Sequence, residues 1–284
     1  MPDRVTGASR LLVLLAATLG IALAAPLSAL GRAAPADSAV DPTPAAAAST
    51  PFTLDLSQRG DFVAQTNFVQ CVGASMQMML NMIRPIDDDS AATQDQLQVL
   101  ARSLSRKRPD SVERKGASVT GWTAGLNALG AGPYRTVGSA DIQAVLKVAA
   151  QAMRETNRPV GLLVWRGRHA WVMAGFSATA DPRVTADFEV TGVIVMDPLY
   201  PYGSRTWGAS PAPRESVSIA ELRRQFVPRG FRGEVPGGGT EGASSTGVST
   251  SGATSGWSAG LAGRYVIVMP FMHVETPRLG PVLR

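Results

Sequence analysis

The chain has 284 residues, 45% of them apolar, with 27 Lys and Arg against 22 Asp and Glu for a net charge of +5, two histidines and one cysteine. The basic excess is mild and no Lys/Arg cluster is interleaved with aromatics, which leaves no case for nucleic-acid binding; a single cysteine rules out an internal disulfide framework. No His, Cys and carboxylate set has metal-ligand spacing and no Gly-rich phosphate loop follows a strand, so neither a metal nor a cofactor is expected.

Residues 1–36 predict a secretory signal: Arg4 and Arg10 precede the apolar run LLVLLAATLGIALAAPLSAL, and Ala34-Pro35-Ala36 supplies a small-residue cleavage site. The run is also long enough to span a bilayer, so an uncleaved N-terminal anchor is the alternative, and it is the only membrane contact the sequence offers. Either way the rest of the chain is expected to be secreted or extracytoplasmic. Cleavage would remove Arg4, Arg10 and Arg32 against Asp3 and leave a net charge of about +3. Residues 37–51, rich in Pro and Ala and without an apolar period, predict a disordered linker. Residues 52–284 are long enough for one domain with a sizeable core. Within it, residues 236–260 are almost all Gly, Ser and Thr and predict a surface insertion that adds little to that core.

Two kinds of period divide the domain. In the first half CVGASMQMMLNMIR puts Val72, Met76, Met79, Leu80 and Ile83 on one helical face, and Pro85 stops the helix. TQDQLQVLARSL and GWTAGLNALG are further helices, and SADIQAVLKVAAQAMRET opens with Ser139 as its expected N-cap. In the second half PVGLLVW, HAWVMAGF, VTGVIVMDP and RYVIVMPF are short, rich in Val and Ile, and bounded by Gly, Pro or charge, as strands of one sheet are. The RGR between the first two predicts an antiparallel hairpin. Helices first and an antiparallel sheet afterwards predict an α+β domain.

The lone cysteine, Cys71, stands at the expected start of the first helix. A helix N-terminus and a nearby imidazolium together favour a thiolate, the nucleophilic form of cysteine. His169 begins a strand and could supply the imidazolium; Asp197 ends the following strand and could orient it. Gln65, six residues before Cys71, could donate its amide to an oxyanion beside the Cys71 N–H, with Gln70 as the competing donor. His273, in the final segment, is expected to be structural. The cluster of Met76, Met78, Met79 and Met82 is expected in the core, where thioethers fill irregular gaps.

On QTNFVQC, HAWVMAGF and VIVMDP, in the order Gln, Cys, His, Asp, residues 52 to 272 resemble papain-like cysteine peptidases, in particular the bacterial peptidases that cut leader peptides after a double glycine. SIAELRRQF followed by RYVIVMP is similar to the helix and last strand that follow Asp-Pro in that family. The resemblance implies a papain-like fold, with the nucleophile helix in an N-terminal helical half and an antiparallel sheet in the C-terminal half. It also implies a cysteine peptidase acting on peptide or protein substrates, with Cys71 as nucleophile, His169 as acid and base, Asp197 as its orienter and Gln65 as oxyanion donor. Acyl transfer to an amine, as in the transglutaminase-like branch, fits HAW followed by DP as well. A third reading is a binding module that has lost turnover, motivated by Val72 where family members usually carry Gly after the cysteine. The sequence indicates no oligomeric state.

Overall fold

The β-branched runs of the second half form the centre of an eight-stranded sheet in which every pairing is antiparallel, and two strands from the first half and two short ones from the second complete it. The structure, a computed structural model, describes residues 50–84, 86–105, 116–230, 249–250 and 260–272. The signal segment, most of the linker, most of the Gly/Ser/Thr insertion and His273 lie outside these. The strands are β1 (Phe52–Asp55), β2 (Tyr134–Ser139), β3 (Val160–Val164), β4 (His169–Ala178), β5 (Val190–Met196), β6 (Gly203–Ser204), β7 (Gly208–Ala209), β8 (Glu215–Ser218), β9 (Ser249–Thr250) and β10 (Tyr265–Pro270). The helices are α1 (Cys71–Ile83), α2 (Ala91–Ser103), α3 (Val119–Ala128), α4 (Ile142–Thr156) and α5 (Ile219–Gln225). The sheet order is β8-β5-β4-β3-β10-β2-β9, with β1 on the later half of β4; β6 and β7 make a separate small hairpin.

The period-2 alternation of the central strands sorts the core into two layers. Leu163, Ala170, Val172 and Ala174 pack with Met76, Met79, Trp122 and Leu126 of α1 and α3. Their neighbours Leu162, Val164, Trp171, Met173 and Phe176 pack with Val145, Leu146, Ala149 and Met153 of α4 and with Leu222 of α5. Helices therefore cover both faces. The fold is α+β with a mostly antiparallel sheet and five helices among the described residues.

Several sequence expectations change in detail. The division into helices first and sheet afterwards is incomplete, because β1 and β2 lie in the first half. Ser139 is the last residue of β2; the N-cap of α4 is Asp141, whose carboxylate accepts from the Ala144 N–H at 2.6 Å. Helix α1 is buried all round from Val72 to Asn81 rather than on one face, since it lies between β4, α2 and α3. Of the insertion, Ser249 and Thr250 pair with Gly138 and Val137 as an edge strand. Among the described residues no helix is long and apolar enough to cross a membrane.

Candidate active site

Cys71 is the first residue of α1 and is partly buried. At that position the thiol sits at the positive end of the helix dipole, beside first-turn N–H groups that have no acceptor within the helix. The helix is fixed to the sheet close by: Ser75 Oγ donates to Ala170 O at 3.3 Å, one residue beyond His169. Val72 is buried in the layer between α1 and the sheet, so the residue after the cysteine serves the core.

His169 opens β4, opposite Val164 of β3, and Asp197 follows the last residue of β5. Both lie just beyond the point where the β4–β5 ladder ends at Val172 and Met196. That placement puts two buried side chains, 5% and 0% exposed, within 2.6 Å of one another, Nε2 to Oδ1. The same Oδ1 accepts the Leu199 N–H at 2.8 Å, which holds the carboxylate in place. The Cys71 thiol lies close enough to the imidazole to raise its pKa. Burial pushes the His169 pKa down, but the hydrogen bond to Asp197 and the proximity of Cys71, with the charges of both, outweigh it and raise it to about 9. The direction favours the protonated imidazole.

A partner that sequence reasoning missed is Trp165. Its indole stacks on the imidazole, ring centroids 4.1 Å apart and planes 22° apart, and its Nε1 donates to Gln225 Oε1 of α5 at 2.9 Å. The turn that brings it there has left-handed backbone at Trp165, Arg166 and Gly167, with φ of 55°, 56° and 87°. Such conformations are unfavourable for the two non-glycine residues and persist where surrounding contacts fix them. PVGLLVW suggested only that Trp165 ends a strand; the RGR that follows signalled the hairpin but not the left-handed course that turns Trp165 onto His169.

Gln65 lies in the extended segment before α1. Its backbone N–H donates to Pro198 O at 2.7 Å, tying this segment to the residue after Asp197. Its side-chain Nε2 donates to Asn67 O at 2.8 Å, and Oε1 is buried without a hydrogen-bond partner among the described residues. The competing glutamine, Gln70, is turned toward α2: it accepts from Thr66 Oγ1 and donates to Asp95 Oδ1. The structure thus joins His169 and Asp197 by a hydrogen bond, brings Cys71 within electrostatic reach of the imidazole, and anchors the Gln65 backbone to the residue after Asp197.

The chain matches no family model, no curated protein and no solved structure. Beside the segment that precedes Cys71 a groove of about 620 Å³ opens, lined by Asn67, Val69, Gln70, Asp95, Val99 and Arg102 among others. Val69 and Val99 are exposed in it, and none of Cys71, His169, Asp197 and Gln65 lines it. Among the described residues no group of three or more His, Cys, Asp or Glu could hold a metal ion.

Proposed function

We propose that the protein is an exported cysteine peptidase with a papain-like arrangement of nucleophile helix and sheet. The observation that carries the reading is the buried His169–Asp197 pair at 2.6 Å, with Cys71, at a helix N-terminus, near enough to the imidazole to raise its pKa. A buried, protonated imidazole against a thiol is the arrangement that stabilises a thiolate, the species that attacks carbonyls.

The chemistry follows from those positions. Cys71 Sγ attacks the carbonyl carbon, and the carbonyl electron pair moves onto oxygen, where the Cys71 N–H and the Gln65 amide stabilise it. As the C–N bond breaks, His169 gives its proton to the leaving amine and an acyl-enzyme remains. His169, now neutral, takes a proton from water as the hydroxide adds; the C–S bond then breaks and releases the carboxylic acid with the thiolate restored. Asp197 keeps the ring orientation through both halves.

The test is incubation of wild type and Cys71→Ala with a mixed peptide library, with and without an added primary amine, read by mass spectrometry. Cleaved peptides from wild type and none from a folded Cys71→Ala are expected. Amide products formed with the added amine would favour acyl transfer instead. Full activity in Cys71→Ala would remove the nucleophile from its role.

A further inference from the structure

Helix α2 carries two buried glutamines one turn apart, Gln94 and Gln98, 0% and 4% exposed, on the face it turns to α1. Gln94 Oε1 accepts the Thr66 N–H at 2.8 Å and its Nε2 donates to Ala64 O at 3.0 Å. These are the backbone groups on either side of Gln65. Gln98 repeats the pattern: its Oε1 accepts the Gly73 N–H at 3.0 Å and its Nε2 donates to Val69 O at 2.9 Å, two residues to each side of Cys71. Leu97 and Ala101, also buried on α2, show that this helix otherwise meets the core with apolar side chains.

The close approach that permits the second clamp depends on Gly73. A Cβ there would lie 2.8 Å from Gln94 O and 3.0 Å from Gln98 Cβ. The segment 62–70 has neither a strand ladder nor an α-helix to fix its backbone, whereas the two glutamines stand on one rigid helix with a fixed rise of about 5.4 Å per turn.

We infer that Gln94 and Gln98 are positioning residues that set the spacing between the oxyanion donor Gln65 and the nucleophile Cys71, Gln94 holding the donor and Gln98 the thiol. The inference rests on the peptidase reading and adds to it the parts that aim the acyl-binding half. Neither glutamine touches the reacting atoms. Each acts through the backbone it grips, where a displacement of about 1 Å is enough to cost on the order of a hundredfold in rate.

Two reactions of the same thiol separate this role from general support of the fold. Peptide hydrolysis forms an oxyanion and needs Gln65; alkylation by iodoacetamide displaces iodide at a saturated carbon and forms none. In Gln94→Met, which keeps the side-chain length without hydrogen bonds, kcat for a mixed quenched-fluorescent peptide library should fall about tenfold to a hundredfold with little change in KM. Alkylation of Cys71 should stay within about twofold of wild type and at the same time report that the site is folded. Gln98→Met should lower both rates, and Gln96→Ala, on an exposed position between them, neither. Should Gln94→Met not fold, Gln94→Asn keeps a neutral amide but is one methylene too short to hold both backbone groups, and the same selective loss is expected. Wild-type hydrolysis in a folded Gln94 variant, or hydrolysis and alkylation falling in parallel in that variant, would overturn the positioning role. Absence of cleavage by wild type itself would instead strike the peptidase reading beneath it.

Discussion

The two halves of the candidate site are built by different means. His169 and Asp197 are placed by the sheet: one begins β4, the other follows β5, and the ladder between those strands ends beside them. Cys71 and Gln65 depend on side chains. The segment that carries Gln65 is held by its bond to Pro198 and by glutamines of α2, and Cys71 takes its position from a helix start that those contacts fix. A backbone ladder tolerates change in any one side chain; a clamp of side-chain amides does not. The base half should therefore be robust in position and sensitive only in chemistry, whereas the nucleophile half should be sensitive in position.

The largest effect that would sharpen this contrast is chemical. His169→Ala removes the proton donor and the positive partner of the thiolate, and hydrolysis should fall by roughly 10³-fold or more while circular dichroism remains native. A folded His169→Ala enzyme with near wild-type turnover would break the base half of the comparison.

Asp197→Asn should do less. The amide oxygen can still accept from His169 Nε2 and from the Leu199 N–H, so a loss of about tenfold to a hundredfold is expected, of the size that supporting hydrogen-bond partners contribute. Steady-state kinetics on the peptide library decides it. A loss equal to that of His169→Ala would mean that the charge, and not the orientation, is what the ring requires.

On the nucleophile half a single methyl group should act through position. Gly73→Ala drives a Cβ into Gln94 O and Gln98, separating α1 from α2. Overpacking of this kind costs about 1–3 kcal/mol, a fall in Tm of several degrees for a domain of this size, and activity should drop further than the stability loss explains. An unchanged Tm would show that the two helices have slack where the structure places them in contact.

The base half can also be tested through the pH dependence of stability. The His169 pKa is raised in the folded state to about 9 from 6.5. Its stabilising contribution is then complete below about pH 6.5 and is lost as pH rises through about 9. The Tm of wild type should accordingly decline over that interval, and the decline should be shallower in His169→Ala. Parallel curves for the two proteins would contradict a raised pKa at His169.

The same division separates what the sequence revealed from what it did not. HAWVMAGF and VTGVIVMDP announce strands by their β-branched runs, and the histidine and aspartate at their ends are conspicuous because the strands are. The start of α1 at Cys71 was legible for a similar reason. By contrast β2 was missed because YRTVGS offers only Tyr134 and Val137 as large apolar residues, and its place between β10 and β9 comes from partners distant in the chain. Ser139 and Asp141 are both competent N-caps, and only the turn geometry after β2 selects Asp141. Nothing in TQDQLQVL distinguishes the buried Gln94 and Gln98 from the exposed Gln96 between them, since their role is defined by backbone groups some thirty residues away. Trp165 reaches His169 through left-handed residues that no apolar period encodes.

The central claim is that Cys71 and His169 act as one chemical unit, and the rate of Cys71 alkylation by iodoacetamide, followed by mass spectrometry at pH 6 in wild type and in His169→Ala, tests it most directly. A thiolate paired with the imidazolium should be modified at least about tenfold faster in wild type than in the folded variant. Equal rates in the two proteins would contradict the pairing and reduce Cys71 to a partly buried thiol at the start of a core helix.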